Sequence, residues 1–306
     1  MPDELGLSLD HYSFGRLGDG TFYGIAKRSG TALSNSGVVD LGDATLVFDT
    51  SLTLRSAREL EGAAQHLTGR APALAANSHW HLDHVLGNSV FPPDGIFATR
   101  RTAELLLEQE VELCRGLSAE QLRKDVDSLE ADSRNSGSDE AKAVYAPVIR
   151  IHRALLEEAA DLRIVVPGRR FDGELKLPGP RHIRLVTFGA GHTESDSVLV
   201  LPESRTVFAG DLIVHGTHPN LTSGDPEHWV TVLDQIERLG AEHIVPGHGP
   251  VGGPELIGPV RDYLITVLEL AKVPGPVEMP SRFRPWSEPD QFERNLEHVR
   301  GRRRQG

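Results

Sequence analysis

The stretch Asn77-Ser-His-Trp-His-Leu-Asp-His84 sets three histidines and an aspartate within six positions, directly behind the apolar run 73–76. In an extended backbone, residues two apart point to the same side, so His79 and His81 can grip one ion together. Asp83 and His84 follow where the chain turns, and can face a second ion beside the first. A lone histidine is ordinarily a solvated surface residue or a satisfied core residue. This density of ligand-type side chains, with a carboxylate among them, points to metal instead.

Three residues farther along share a placement. His192 follows the apolar run ending at Phe188 through Gly189-Ala-Gly191, Asp211 follows 206–209 through Gly210, and His248 follows Ile244-Val245 through Pro246-Gly247. Each is expected just past a strand and behind glycine, which permits a sharp turn and close backbone approach. With the first segment they supply seven nitrogen or oxygen ligands. That set is too large for one tetrahedral zinc and suits two adjacent ions sharing a carboxylate. Such a centre can bring the pKa of water to about 7 and so provide a nucleophile at neutral pH. A covalent side-chain catalyst is then unnecessary, and neither a G-x-S-x-G elbow nor a cysteine-based nucleophile competes with it.

The spacing H-x-H-x-D-H, followed by Gly191-His192, Gly210-Asp211 and Pro246-Gly-His-Gly249, resembles the metallo-β-lactamase superfamily. The resemblance covers about residues 20–100 and 163–252. It implies an α/β fold, the four-layer αββα sandwich of the metallo-β-lactamase type, with the site at one edge of paired sheets. It also implies that His79, His81 and His192 hold one metal, that Asp83, His84 and His248 hold the other, and that Asp211 bridges them. Asp49, in Phe48-Asp49-Thr50, resembles the strand-end aspartate that supports the metal-ligand loop in this family, and Ser78 stands where many members have threonine. True lactamases of the family usually place another residue at the position of Asp211, which weighs against β-lactam hydrolysis. Lactone-cleaving relatives often have a tyrosine shortly after that aspartate, whereas here the run is Asp211-Leu-Ile-Val-His215. Flavodiiron relatives carry glutamate where His81 stands. Asp83, Asp211 and His215 are the candidate catalytic residues, with His215 or His218 able to donate a proton or bind substrate.

Around these motifs, short apolar runs at 22–26, 37–39, 44–48, 73–76 and 96–98 read as strands. Leu60, Ala63, Ala64 and Leu67 repeat at helical spacing until Gly69 stops the run. Residues 101–160 change character, being rich in Leu, Glu, Ala and Arg. They read as two or three helices split by a loop at 132–139, a helical insertion that either leans over the site or mediates self-association as a homo-oligomer. Strands resume at 163–166, 174–177, 183–188, 197–201 and 206–209, and a last short one ends at Val245. Between these last two, Asp225-Pro226 opens a helix with an apolar stripe of Trp229, Val232, Leu233, Ile236 and Leu239. Residues 255–272 and 288–300 read as C-terminal helices, so the expected organisation is one domain over 1–306 with an insertion at about 101–160 and covering helices at about 255–306.

Composition bounds the rest. Hydrophobic residues make up 39% and charged residues 25% of the 306 positions, with a formal charge of −12. Long-range repulsion at that charge disfavours nucleic acid. No apolar run is long enough to span a membrane and the N-terminus is not signal-like, so a cytoplasmic protein with no membrane partner is expected. Cys114 reads as a buried inert thiol, and Arg300, Arg302, Arg303 and Arg304 as a solvated, frayed tail. The expected chemistry is hydrolysis of an ester, thioester, lactone or amide bond in a small molecule by metal-bound hydroxide. Two divalent ions per chain are required, zinc by default with iron or manganese as substitutes. Phosphodiester cleavage, iron-dependent sulfur oxidation and a non-catalytic metal-binding module are the alternatives.

Overall fold

The computed structural model describes residues 3–305, which divide into two compact units. The first comprises the chain up to Ala98 together with Ala103–Arg170; the second comprises Thr99–Thr102 and the chain from Phe171 onward.

In the first unit, β1 (Asp3–Ser8), β2 (Tyr12–Gly18), β3 (Thr21–Ala26), β4 (Ser36–Asp40) and β5 (Thr45–Phe48) form an antiparallel meander. The helix α1 (Leu54–Thr68) then carries the chain to β6 (Leu74–Ala76), parallel to β5, and β7 (Ile96–Thr99) pairs in parallel with β6. Thr53 caps α1 by accepting from the Ser56 amide, and Gly69 ends it at φ 75°. The buried stripe Leu54, Ala57, Leu60, Ala63 and Ala64 explains why this helix forms here: it covers Val38, Val47 and Ala75 of the sheet. At Gly15 of β2 a Cβ would lie 2.2 Å from the Tyr23 ring of β3, so the aromatic ring fills the place of a side chain.

The helix α2 (Leu82–Val85), which carries Asp83 and His84, is one turn long and precedes β7. Beyond β7 the insertion is three helices, α3 (Arg100–Gly116), α4 (Ala119–Asn135) and α5 (Asp139–Glu158), ahead of the short strand β8 (Arg169–Phe171). The expected loop over 132–139 is a correction: α4 runs on to Asn135, and only residues 136–138, with Gly137 at φ 77°, turn the chain. The expected strand at 163–166 is also absent. There the Val165 carbonyl accepts from the Asn88 side chain instead of a sheet neighbour. Cys114 is exposed, not buried, because it falls on the outer face of α3.

The insertion is tied down at two points. Leu117, Leu122 and Leu155 pack with Leu52, Leu54 and Leu86, so it rests on the residues that flank the metal loop. Burial of each leucine stabilises this contact by about 1.5–3 kcal/mol. The Glu158 carboxylate accepts from the backbone amides of Leu54 and Arg55 at 2.8 and 3.1 Å, neutralising the positive end of α1.

The second unit is a five-stranded sheet in the order β13-β12-β11-β10-β9. Its strands are β9 (Glu174–Lys176), β10 (Arg184–Gly189), β11 (Asp196–Leu201), β12 (Thr206–Val214) and β13 (His243–His248). Only β12 and β13 pair in parallel, and α6 (Pro226–Arg238) makes their crossover, capped by Asp225 and buried through Trp229, Val232, Leu233 and Ile236. The helices α7 (Ile257–Leu270) and α8 (Asp290–Gln305) complete the unit. The C-terminal arginines are helical rather than frayed: Arg300 donates to the carbonyls of Val273 and Gly275, and Arg302 to that of Gly224. Among the described residues no helix is long and apolar enough to cross a membrane.

Candidate metal centre

In the first unit the ligand loop begins where β6 ends. Asn77 and Asn88 pin it with reciprocal side-chain amide bonds of 3.0 Å, and Asn77 also donates to the His84 carbonyl at 3.0 Å. His79 is buried and His81 half-buried, with ring centroids 4.8 Å apart, so the two-residue spacing does bring them side by side. Asp83 and His84 lie on α2, where the Asp83 carboxylate stands 3.3 Å from His84 Nε2.

Asp49, at the end of β5, organises this loop. It is buried at φ 60°, a left-handed conformation that Asp and Asn tolerate better than most residues. Its carboxylate accepts from the Ser78 amide at 2.7 Å and the Ser78 hydroxyl at 2.8 Å, and faces His84 Nδ1 at 2.8 Å. Burial pushes the Asp49 carboxyl upward, and the neighbouring His84 together with the Ser78 bonds pull it back. Because the Ser78 hydroxyl gives its proton to Asp49, it accepts from His79 Nδ1 at 2.9 Å. His79 and His84 are therefore both held with the proton on Nδ1, which turns the Nε2 lone pair outward as a metal ligand requires.

In the second unit three strands converge. His192 follows β10, its Nδ1 donates to the Asn220 carbonyl at 3.0 Å, and its ring packs on Trp229 at 5.5 Å. Asp211 and His248 correct the expectation of residues just past strands: Asp211 lies inside β12 and His248 is the last residue of β13. The local reason is a register shift at Gly210, whose φ of 50° turns the strand without ending it. At Gly247 a Cβ would lie 1.9 Å from Asp211 Oδ1, so only glycine lets β13 pass the carboxylate. Asp211 Oδ2 stands 3.4 Å from His192 Nε2, and Oδ1 stands 3.4 Å from His248 Nε2. One carboxylate thus offers a separate oxygen to each of two histidines.

A residue that the sequence reading missed holds this half together. Asp196, the buried first residue of β11, accepts from the Gly191 amide at 3.1 Å, the Thr193 amide at 2.9 Å and the Thr193 hydroxyl at 2.9 Å. Burial pushes its carboxyl up to about 8, and the charge of Asp211 adds to the rise. The signal was present in Gly191-His-Thr-Glu-Ser-Asp196, a turn segment ending in a carboxylate. His215 is exposed, with Nδ1 donating to the Pro250 carbonyl at 3.0 Å. His218 is buried among Tyr263, Trp286 and Phe292, which makes it a core residue.

The donor set is chemically suited to divalent metal. Five imidazoles, three of them with Nδ1 held by a hydrogen bond, and two aspartates match the preferences of zinc and of iron or manganese. Within the first unit the ligand atoms of His79 and His81 lie within 4.8 Å of one another, as do those of Asp83 and His84; His192 and Asp211 do the same within the second.

Comparison with known proteins agrees. The family model of the metallo-beta-lactamase superfamily matches residues 30–248. A metallo-beta-lactamase type 2 of Bacteroides fragilis is 29% identical over 91 residues, which are 28% of this chain and 36% of that protein. The match therefore spans about a third of the curated relative. Among solved structures, the FIM-1 metallo-beta-lactamase of Pseudomonas aeruginosa in a mono-zinc form aligns with TM-score 0.59 and 18% identity, over 86% of this chain and 97% of that one. A metallo-beta-lactamase from Pontibacter korlensis aligns with TM-score 0.57 and 16% identity, over 83% and 99%. At these identities the likeness establishes the fold, which is α/β of that type.

Proposed function

Because this chain belongs to the metallo-β-lactamase superfamily, whose membership supports a metal-dependent hydrolase, we propose that it cleaves an ester, thioester, lactone or amide bond of a small molecule at a two-metal centre. His79, His81 and His192 would hold one ion, Asp83, His84 and His248 the other, with Asp211 between them. The observation that carries this reading is the Asp211 carboxylate, whose two oxygens face two different histidines at 3.4 Å each. Zinc is the proposed metal, and its chemistry when bound is to polarise the scissile carbonyl and to lower the pKa of water.

The protein's own residues do the rest. Hydrogen bonds from Nδ1 of His79, His84 and His192 hold their rings so that each keeps its lone pair on Nε2. Asp49 and Asp196 fix the two loops from behind. His215, whose Nδ1 donates to the Pro250 carbonyl, has Nε2 as its proton-exchanging atom, and its proposed role is to take up a proton there and pass that proton to the leaving group. A cytoplasmic setting and a single catalytic domain over 1–306 belong to the same proposal.

The test is elemental analysis of the purified protein together with a panel of lactones, thioesters, amides, β-lactams and phosphodiesters, assayed with and without chelator. We expect close to two ions per chain and a chelator-sensitive rate on a carbonyl substrate. Turnover confined to the phosphodiesters would replace the bond class, and a metal-free preparation that is fully active would overturn the metal centre itself.

A further inference from the structure

A cavity of about 870 Å³ lies wholly within the first unit, between α5, the start of α1 and the loop after β3. That volume suits a drug-sized ligand. Its wall carries five cationic side chains, Lys27, Arg55, Lys142, Arg150 and Arg153, against two acidic ones, Asp10 and Glu157. On a chain whose formal charge is −12, such a concentration of positive charge runs against the general field.

The cations are not equivalent. Arg55 is paired with Glu157 and Glu158, Lys142 with Asp139, and Arg153 with Glu130. Lys27 and Arg150 instead donate to neutral oxygens. Lys27 Nζ bonds the Leu9 carbonyl and the Ser8 hydroxyl, and Arg150 bonds the Arg28 carbonyl at 2.9 Å. These two face the same cavity from different elements, the loop behind β3 and the helix α5. Between them the wall includes Ala146, Ile149 and Ala154, an apolar strip on one side of α5. The combination of two cations bonded only to neutral oxygens and a short apolar wall selects an amphipathic anion over a bare ion or a neutral molecule.

We propose that the first unit carries a second ligand site, for a small organic dianion whose apolar body lies on Ile149 and whose charged head is held by Lys27 and Arg150. Occupancy would join the insertion helix α5 to the loop after β3. Asp10, on the same wall, opposes the charge of this ligand and sets a limit on its affinity.

Phenylphosphonate is a suitable probe, being a non-hydrolysable dianion with an apolar ring. Calorimetric titration of the metal-loaded protein should show one equivalent bound, weakened by added salt, with benzenesulfonate binding more weakly and benzyl alcohol not at all. The Lys27→Gln/Arg150→Gln double variant should bind at least about tenfold more weakly, each single variant by an intermediate factor. Asp10→Asn should bind a few-fold more tightly, a gain that a misfolded variant would not produce. The Asp211→Asn protein should bind as the parent does. No binding to the parent, or equal affinity in the double variant with its circular dichroism unchanged, overturns the site. So does binding that is lost in Asp211→Asn but kept in the double variant, because the probe would then sit at the metal centre.

Discussion

The candidate ligands of the first unit lie close together in the chain, and those of the second do not. His79, His81, Asp83 and His84 are neighbours in sequence, and one buried carboxylate, Asp49, reaches both the loop backbone and the candidate ligand His84. His192, Asp211 and His248 lie on or just behind three different strands, and the corresponding carboxylate, Asp196, bonds the loop at Gly191 and Thr193. A local cluster can be tuned by one second residue. A dispersed one depends on the sheet that brings its members together, so its supporting carboxylate acts on folding before it acts on metal.

The largest expected effect is at Asp211. Asp211→Asn keeps the shape but removes the charge, and one of the two oxygens becomes an amide that cannot accept. We expect the protein to stay folded while metal content falls toward one ion or none and turnover falls by more than the roughly 10–100-fold typical of residues behind the ligands. Elemental analysis and rates on this variant beside the parent would falsify the bridging role if both were unchanged.

Next come the two supporting carboxylates, which should part company. Asn suits the left-handed backbone at position 49, so Asp49→Asn should fold, yet it loses an acceptor for Ser78 and the anionic partner of His84. Its metal affinity should drop about 10–100-fold, read by competition with a chromogenic chelator. Asp196→Asn sets an amide donor against the N–H groups of Gly191 and Thr193 and should cost about 1–3 kcal/mol of stability in denaturant unfolding. Its affinity for metal should change less than that of Asp49→Asn. Equal metal losses in the two variants would erase the distinction between the halves.

The smallest effect concerns His218, a histidine of the second unit with no share in the cluster. Burial lowers its pKa from 6.5, so the folded protein binds this proton more weakly than the unfolded chain does. The penalty is absent above pH 6.5 and grows as pH falls below it. Tyr263, the titratable group against it, is shifted upward by burial and stays neutral throughout that window. His218→Phe should therefore flatten part of the loss of stability as pH falls below 6.5, while leaving metal content alone. A steeper acid limb in the variant would show that His218 is not a core residue.

The legibility of the molecule follows the same division. The seven ligand candidates, the helix α1 with its Gly69 stop, and α6 behind Asp225-Pro226 could be read because each depends on residues close in the chain: a two-residue strand period, a cap, a glycine at positive φ. The strand β2 was not legible at Gly15, which is covered by Tyr23 from the next strand, a contact that no local pattern records. The supporting role of Asp196 was hidden for a similar reason, its partners being backbone amides that any sequence would supply.

What the sequence supplied by itself is the set of candidates: which side chains are of metal-ligand type, in what order, and beside which glycines, because residue type and short-range spacing are properties of neighbouring residues. Tertiary structure decided where Asp211 and His248 stand within their strands, why Gly247 must be glycine, that Cys114 is exposed while His218 is buried, and that the last arginines are held on α8. Each of those depends on what packs across a sheet or helix from a residue far away in the chain, and that contact is a matter of shape and burial rather than of composition.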